Sequence, residues 1–584
     1  MWRGCVRTTA KVATAATEVP AASTTGVPSA ASVLCQGNRS QQPGKSQHTG
    51  CKQHKFSKDR TAKDKARHMG TLLAAPKQKL RGSRGFVKPE STLLRCRLQF
   101  VRCPQFPFCS LTAYNVAATF EQRAETMRKL NGIKKLTIVL FLCLGFGAAA
   151  RAQYTDWKAI EDLGGPQEFA ARRAELMAQA KTGYTLLFAR NEIAEATHYR
   201  EDNDFYYYTG VQDPGAVLAM DNASGKIFLF EPQQAGRTAQ VYGANLLSQP
   251  EEAKKLGFEN VRPIGNLDIW LSYSLSAHPQ VDLWVRLDYP DKADGARPEV
   301  GRDHAWKFAH PYHEDVPQDL APAKLLAERY PMARLRDVTS IIDAMRNIKR
   351  AKEIEILRRN GKISAEGDRA AIAHARPGMH QYEIEARAYE YFYSHGAQGV
   401  AYLAIVGSGK DINTWHYFSN RNVIETNQLV VFDYGASLDH LTMDITRTFN
   451  ISGKFTPEQA KWYAVDLESQ KATIALLKPG HTYEEAEAAG KAVFDKAGIG
   501  SQWYGWPGHF VGLATHDVLH PSGPIKPGQV VTVEPIVEFP DKQMHFRVED
   551  TILITEGEPE ILSSAVPKEL ADVEKLVGNE AKGK

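Results

Sequence analysis

Apolar and polar positions alternate in two different rhythms along residues 159–575. "EFAARRAELMAQA" (168–180) and "PEEAKKLGF" (250–258) have helical spacing, while "YTLLFA" (184–189) and "GKIFLFEP" (225–232) read as buried strands. "YREDNDFYYYTGVQDPGAVLAM" (199–220) is an aromatic-dense stretch joined by a Pro-Gly turn. Polar residues dominate 289–320, "YPDKADGARPEVGRDHAWKFAHPYHEDVPQ", so the pattern predicts a loop or lid there. Its His304, His310 and His313 lack regular ligand spacing on one element and read as solvated rather than zinc-binding. The pattern changes around Arg346: Lys349 to Ala375 is helical with Ile354, Leu357 and Ile363 on one side, which puts a boundary near 340.

Beyond that boundary the chain repeats itself. "RPGMHQYEIEARAYEYF" (376–392) resembles "KPGHTYEEAEAAGKAVF" (478–494), each a Pro-Gly stop followed by an amphipathic helix. "NQLVVFDYG" (427–435) resembles "GQVVTVEPI" (528–536), which sets Asp433 against Glu534. Two similar α/β halves are implied, each a helical hairpin on a curved antiparallel sheet, and the class is α+β. Thr456-Pro457-Glu458-Gln459 between them is a capping box with proline at the first helical position.

The strands of this repeat carry acids. "LVVFDYGAS" (429–437) and "LTMDITRTF" (441–449) read as a hairpin. A turn centred on Leu438-Asp439 would set Asp433 directly opposite Asp444, at roughly 5 Å. Two full charges at that distance repel by roughly 3 kcal/mol at an effective dielectric near 20. A turn centred on Asp541-Lys542 opposes Glu534 and Glu549 in the same way. Four converging carboxylates call for about four positive charges, which two divalent cations supply. Oxygen-rich ligation with some imidazole, from His509 or His516 in "GHFVGLATHDV", suits Mn²⁺, Fe²⁺, Co²⁺ or Zn²⁺. Two such ions can share a hydroxide, a strong nucleophile at neutral pH.

Composition changes the picture mainly at the N-terminus. Residues 1–152 hold 26 Lys/Arg against 6 Asp/Glu, and the rest 46 against 61, so the folded part is acidic and nucleic-acid binding is set aside. All seven cysteines precede residue 153, which excludes a disulfide framework and thiol catalysis beyond it. Residues 1–126 have no sustained apolar period. Met127 then opens a basic stretch, fifteen apolar residues run from Leu136 to Ala150, and Ala150-Arg151-Ala152 offers a cleavage site. This is the anatomy of a signal peptide, and the run is short for a membrane anchor. The expected organisation is a non-native or disordered basic extension (1–126), a signal peptide (127–152), an N-terminal α/β domain (153–340) and a catalytic domain (341–584). Cleavage near Ala152 would give a secreted or periplasmic protein.

"DYGASLDHLTMDITRTF", "GHFVGLATHDV", "TVEP" and "FRVED" together resemble the signature set of the pita-bread metallopeptidases. "YREDNDFYYYTG" resembles the N-terminal domain of aminopeptidase P and its relatives creatinase and prolidase. The resemblance implies a C-terminal pita-bread fold behind a smaller creatinase-type domain. It implies a dinuclear centre, usually Mn²⁺, in which Asp433 chelates one metal, Asp444 and Glu549 bridge, and His509 and Glu534 hold the other. It further makes Glu534 the acid/base, His416 and His516 substrate-site histidines, and Arg547 a brace for the bridging carboxylate. Asp204 is expected at the substrate entrance or on a surface or dimer contact. The implied substrates are peptides with proline second, cleaved through a metal-bridging hydroxide, by a homodimer or homotetramer. An Xaa-Pro dipeptidase, a metal-free creatinase-like hydrolase and a non-catalytic pita-bread binding module are the alternatives. Two departures fall on the rim: Gly505 stands where the family usually has a second histidine, and "VEPIVEF" brings Ile536 and Glu538 where glycine and tyrosine are usual.

Overall fold

The strands of the first half assemble into one mixed six-stranded sheet in a computed structural model. The structure describes residues 155–582 apart from 192–197, 235, 277–279, 311 and 313–319. The expected extension, the signal peptide and His313 lie outside the described residues. Strand β1 (Tyr184–Phe188) is central. It pairs antiparallel with β2 (Val217–Asp221), which pairs antiparallel with β3 (Lys226–Glu231). Parallel partners complete the sheet, with β4 (Val261–Pro263) beside β3, β5 (Asp282–Val285) beside β1, and β6 (Arg334–Asp337) at the edge. Leu186, Ala219 and Phe230 fill one face and Leu187, Leu218 and Leu229 the other, so the runs are continuous rather than alternating.

Helix α1 (Pro166–Ala180) covers the second face. Two of its arginines are buried and end the short helix α2 (Asn203–Thr209). Arg172 Nη1 donates to the Tyr207 carbonyl at 3.2 Å and Arg173 Nη1 to the Tyr208 carbonyl at 2.8 Å, satisfying groups a helix terminus leaves open.

The 289–320 stretch is not simply a loop. It contains helix α3 (Arg297–Phe308), started by proline in the first turn and by Glu299, whose side chain accepts from the Ala296 N–H at 2.8 Å. Tyr289, His304 and Phe308 stack along it, with centroids 5.0 and 5.9 Å apart. Its polarity reflects buried ion pairing as much as solvation, because Arg297 is only 3% exposed.

Helix α4 (Thr339–Asn347) leads into the repeated half. There α5 (Ala351–His374) packs on α6 (Gln381–Ser394), and α7 (Pro457–Ala475) on α8 (Tyr483–Ala497). The Thr456 hydroxyl caps α7, accepting from Gln459 N. Each helix pair accompanies a bent ribbon. The first is flanked by β7 (Gly399–Val400) and β8 (Ile405–Ser408) and runs as β9 (Leu429–Asp433) with β12 (Thr446–Asn450), then β10 (Ala436–Leu438) with β11 (Leu441–Thr442). The second runs as β13 (Val530–Val533) with β16 (Asp550–Leu553), then β14 (Ile536–Phe539) with β15 (Met544–Arg547).

The second ribbon has the expected register, for the pairs on both sides bring Glu534 opposite Glu549. The first does not. Leu438 pairs with Leu441 and Asp433 with Thr446, so the turn is Asp439-His440 and Asp444 lies two residues from the expected partner. Both turn residues have positive φ, 50° and 67°, as a two-residue hairpin loop requires. Asp tolerates that region far better than the buried Leu438 would. A slip of two keeps every side chain on its face, so the two acids still point the same way.

Candidate metal centre

All four acids sit where a ribbon's ladder opens between its two segments. Asp433 and Asp444 flank the break between β9/β12 and β10/β11, and Glu534 and Glu549 the break between β13/β16 and β14/β15. Gly435 makes the first break possible, since a Cβ there would fall 1.9 Å from the Met443 carbonyl oxygen. Ligand atoms of Asp433, Asp444 and Glu549 lie within 4.8 Å of one another, as do those of His509, Glu534 and Glu549, and those of Asp444, His509 and His516. Asp433, Asp444 and Glu549 are buried; the side chains of His509 and Glu534 are 16% and 19% exposed.

The surrounding hydrogen bonds hold these groups without using them up. Tyr402 Oη lies 2.6 Å from both Asp433 Oδ1 and Asp444 Oδ1, its single proton shared between them. Arg547 pairs with Asp433, and its Nε donates to Thr446 Oγ1 at 3.1 Å. That hydroxyl donates to Glu549 Oε2 at 2.6 Å, so Arg547 acts on Glu549 through Thr446. Glu549 Oε1 is buried and, among the described residues, has no hydrogen-bond partner. His509 Nδ1 meets the Phe510 carbonyl at 3.1 Å, which leaves Nε2, 3.3 Å from Asp444 Oδ2 and 3.4 Å from Glu534 Oε1. A backbone bond of this kind fixes the ring of a metal-ligating histidine.

The charges are strained accordingly. Burial pushes Asp433 up to about 7 and Glu549 well above the usual carboxylate range, with the neighbouring carboxylates adding to both. Burial acts the same way on Asp444, but hydrogen bonding and charge from His509 hold it down at about 2. His509 is raised to about 9: burial opposes this, and Asp444 and Glu534 outweigh it. An orphaned buried oxygen and an oxygen-rich donor set with one imidazole fit divalent cations.

His516 stands beside the centre, its ring 3.9 Å from His509 and 6.5 Å from His416. Its Nδ1 lies 2.8 Å from both carboxylate oxygens of Glu299. Burial, Arg547 and His516 lower the pKa of His416. Asp204 is elsewhere. It is fully buried, not at an entrance or on a surface, because Arg286, Arg297 and Arg346 enclose its carboxylate at 2.7 to 2.9 Å. Of the departures on the rim, Glu538 accepts from Trp415 Nε1 at 3.3 Å, and Trp415 packs against Tyr504 beside Gly505. Tyr402, Thr446 and Glu299 escape a reading by sequence. Thr446 alone has a signal, two residues from Asp444 on the same strand face.

Comparison with known proteins agrees with this geometry. The description "Metallopeptidase family M24" fits residues 355–556 and "Aminopeptidase P, N-terminal domain" fits 169–284. Fold and site together define a metallopeptidase. The Xaa-Pro aminopeptidase of Escherichia coli K12 is 30% identical over 456 residues, covering 70% of this chain and 97% of that protein. Xaa-Pro aminopeptidase 3 of Rattus norvegicus is 26% identical, covering 70% and 85%. Among solved structures, the Pseudomonas aeruginosa aminopeptidase superposes with a TM-score of 0.60 at 26% identity, covering 72% of this chain and 99% of that one. Escherichia coli aminopeptidase P with the inhibitor Pro-Leu gives 0.58 at 27%, with the same coverage. The chain belongs to the aminopeptidase P (Xaa-Pro aminopeptidase) family, a group of hydrolytic metallo-exopeptidases, with the pita-bread fold behind its N-terminal domain.

Proposed function

We propose that this chain removes the N-terminal residue from peptides with proline second, at a dinuclear centre held by Asp433, Asp444, His509, Glu534 and Glu549. The observation that carries the reading is the overlap of three ligand clusters, Asp433–Asp444–Glu549, His509–Glu534–Glu549 and Asp444–His509–His516, with Glu549 Oε1 buried and, among the described residues, unpartnered. In this assignment Asp433 would hold one ion, His509 and Glu534 the other, and Asp444 and Glu549 would serve both. Mn²⁺ is the first choice, ahead of Co²⁺, Zn²⁺ or Fe²⁺. Bound there, the ions supply Lewis acidity and a water whose pKa is lowered to roughly 7.

The protein's own groups do the rest. Glu534, partly exposed, takes a proton from the attacking water on its carboxylate and returns it to the leaving amine as the C–N bond breaks. His416 and His516 hold the substrate, one at the carbonyl and one at the residue after the scissile bond. Arg547 keeps Asp433 and, through Thr446, Glu549 in place. Proline lacks an N–H, so the site need satisfy no donor at the scissile nitrogen. The signal-like segment 127–152 supports a secreted or periplasmic enzyme. Among the described residues no helix is long and apolar enough to cross a membrane. The family supports a homodimer or homotetramer.

Turnover of Xaa-Pro and Xaa-Pro-Yaa peptides, before chelation, after it and after Mn²⁺ add-back, tests the proposal. Turnover of Xaa-Pro-Yaa is expected to vanish on chelation and to return with Mn²⁺. Activity confined to Xaa-Pro dipeptides would make the chain a prolidase, and activity that survives thorough metal removal would sink the metal-centred reading.

A further inference from the structure

We propose that Glu299, delivered by the N-terminal half, is a positioning residue that fixes the His516 ring toward the candidate metal centre. The inference rests on the role proposed above for His516. Both Glu299 oxygens stand 2.8 Å from Nδ1, so that nitrogen carries a proton and donates it. Nε2 is the nitrogen left free. A ring nitrogen of His516 lies within 4.8 Å of ligand atoms of Asp444 and His509. The neighbouring rings, His509 and His416, are imidazoles, and among the described residues His516 Nδ1 has no acceptor other than Glu299.

Glu299 is itself held by one backbone bond, and its segment is anchored at two further points. Its Oε2 accepts from Ala296 N at 2.8 Å at the start of α3. The adjoining Arg297 is buried, with Nη2 2.9 Å from Asp204 and 2.8 Å from Asp343. The two segments are also tied by their backbones, Thr515 N donating to Ala293 O at 2.7 Å. A carboxylate so constrained imposes its position on the ring.

The bland alternative is that Glu299–His516 merely joins the halves. That work is already done by Arg346, which is buried and pairs with Asp204, Asp291 and Asp517 at 2.6 to 2.7 Å. The Glu299 and His516 side chains are 28% and 24% exposed, and pairs open to solvent add little stability. A ring misplaced by about 1 Å at a reacting centre, by contrast, can cost about 100-fold in rate.

The test uses the metal-loaded full chain with E299A, E299Q, H516A and E299A/H516A, read by Xaa-Pro-Yaa kinetics, metal content, thermal midpoint and a crystal structure of E299A. E299A should lose at least about tenfold in kcat with metal content unchanged and a midpoint lowered only by the lost α3 cap, and its His516 ring should shift or split between rotamers. E299Q, which keeps an acceptor, should stay within about threefold of wild type, and E299A should add less than about twofold in the H516A background. Overturning results are an E299A kcat within about twofold of wild type, an E299Q loss as deep as that of E299A, or losses that multiply in the double variant. A wild-type chain without Xaa-Pro-Yaa turnover strikes the proposed function instead. The E299A structure then still decides, because a His516 ring unmoved without its partner rejects the positioning role.

Discussion

Arg547 is the permanent cation of the site, 3% exposed and shared between Asp433 and the Thr446–Glu549 relay. R547A leaves a buried carboxylate without its partner and should cost about 3–5 kcal/mol in urea melts; R547K should recover part of it. Glu201 makes a pH prediction. Burial pushes its carboxyl up to about 8, although the N–H groups of Arg190 and Asp202 and the Tyr199 hydroxyl bond to it. Between its ordinary value of 4.5 and that point the native chain keeps a proton that the unfolded chain has released. Stability from this group is therefore full at low pH and declines as pH rises, by up to about 1.4 kcal/mol per unit. Wild type should lose more than E201Q between pH 5 and pH 8, and parallel losses would reject the assignment. At this scale the sequence is least legible. Asp204 sits in an aromatic stretch that shows nothing of the three arginines closing over it, two of them on α3 and α4 far along the chain. Tyr402 reaches two acids from outside either ribbon strand.

At the level of elements, the ribbons show how far pattern carries. The β14/β15 turn could be placed because "FPDKQM" interrupts two apolar runs, and the Glu534–Glu549 register follows from it. The β10/β11 turn could not, because facing the two acids is itself an assumption. The backbone instead chose the residues that tolerate positive φ. His440 sits in that turn at φ 67° with its ring stacked 3.7 Å from Tyr206. H440G removes the ring and keeps the turn, whereas H440A also strains it, so H440A should be the less stable by about 1 kcal/mol. If glycine proves the worse, the positive φ at this position is not a source of strain. The Thr456 cap was readable from four residues, and T456A should cost about 1 kcal/mol by thermal or chemical melting. Helix α3 was not, since its start depends on one glutamate and its docking on buried charge.

Over the whole molecule, Arg346 is where the two halves meet electrostatically. It is 3% exposed and binds Asp204 and Asp291 from the first half and Asp517 from the second. R346M should cost about 3–5 kcal/mol, because it strands buried carboxylates rather than merely deleting a pair. A loss below about 1 kcal/mol would mean that the remaining arginines compensate. A change of pattern near 340 is visible in the sequence, but what lies across it is not. One apolar core runs without a break from Ile160 and Leu187 through Tyr206 and Ile356 to Phe432, Val530 and Val573. Such continuity removes modularity. Severed at the link, neither piece would keep an intact interior, so a protease acting within 155–582 should leave that whole body or small peptides with no durable half between, and a gene encoding only the acidic ribbons should make inclusion bodies.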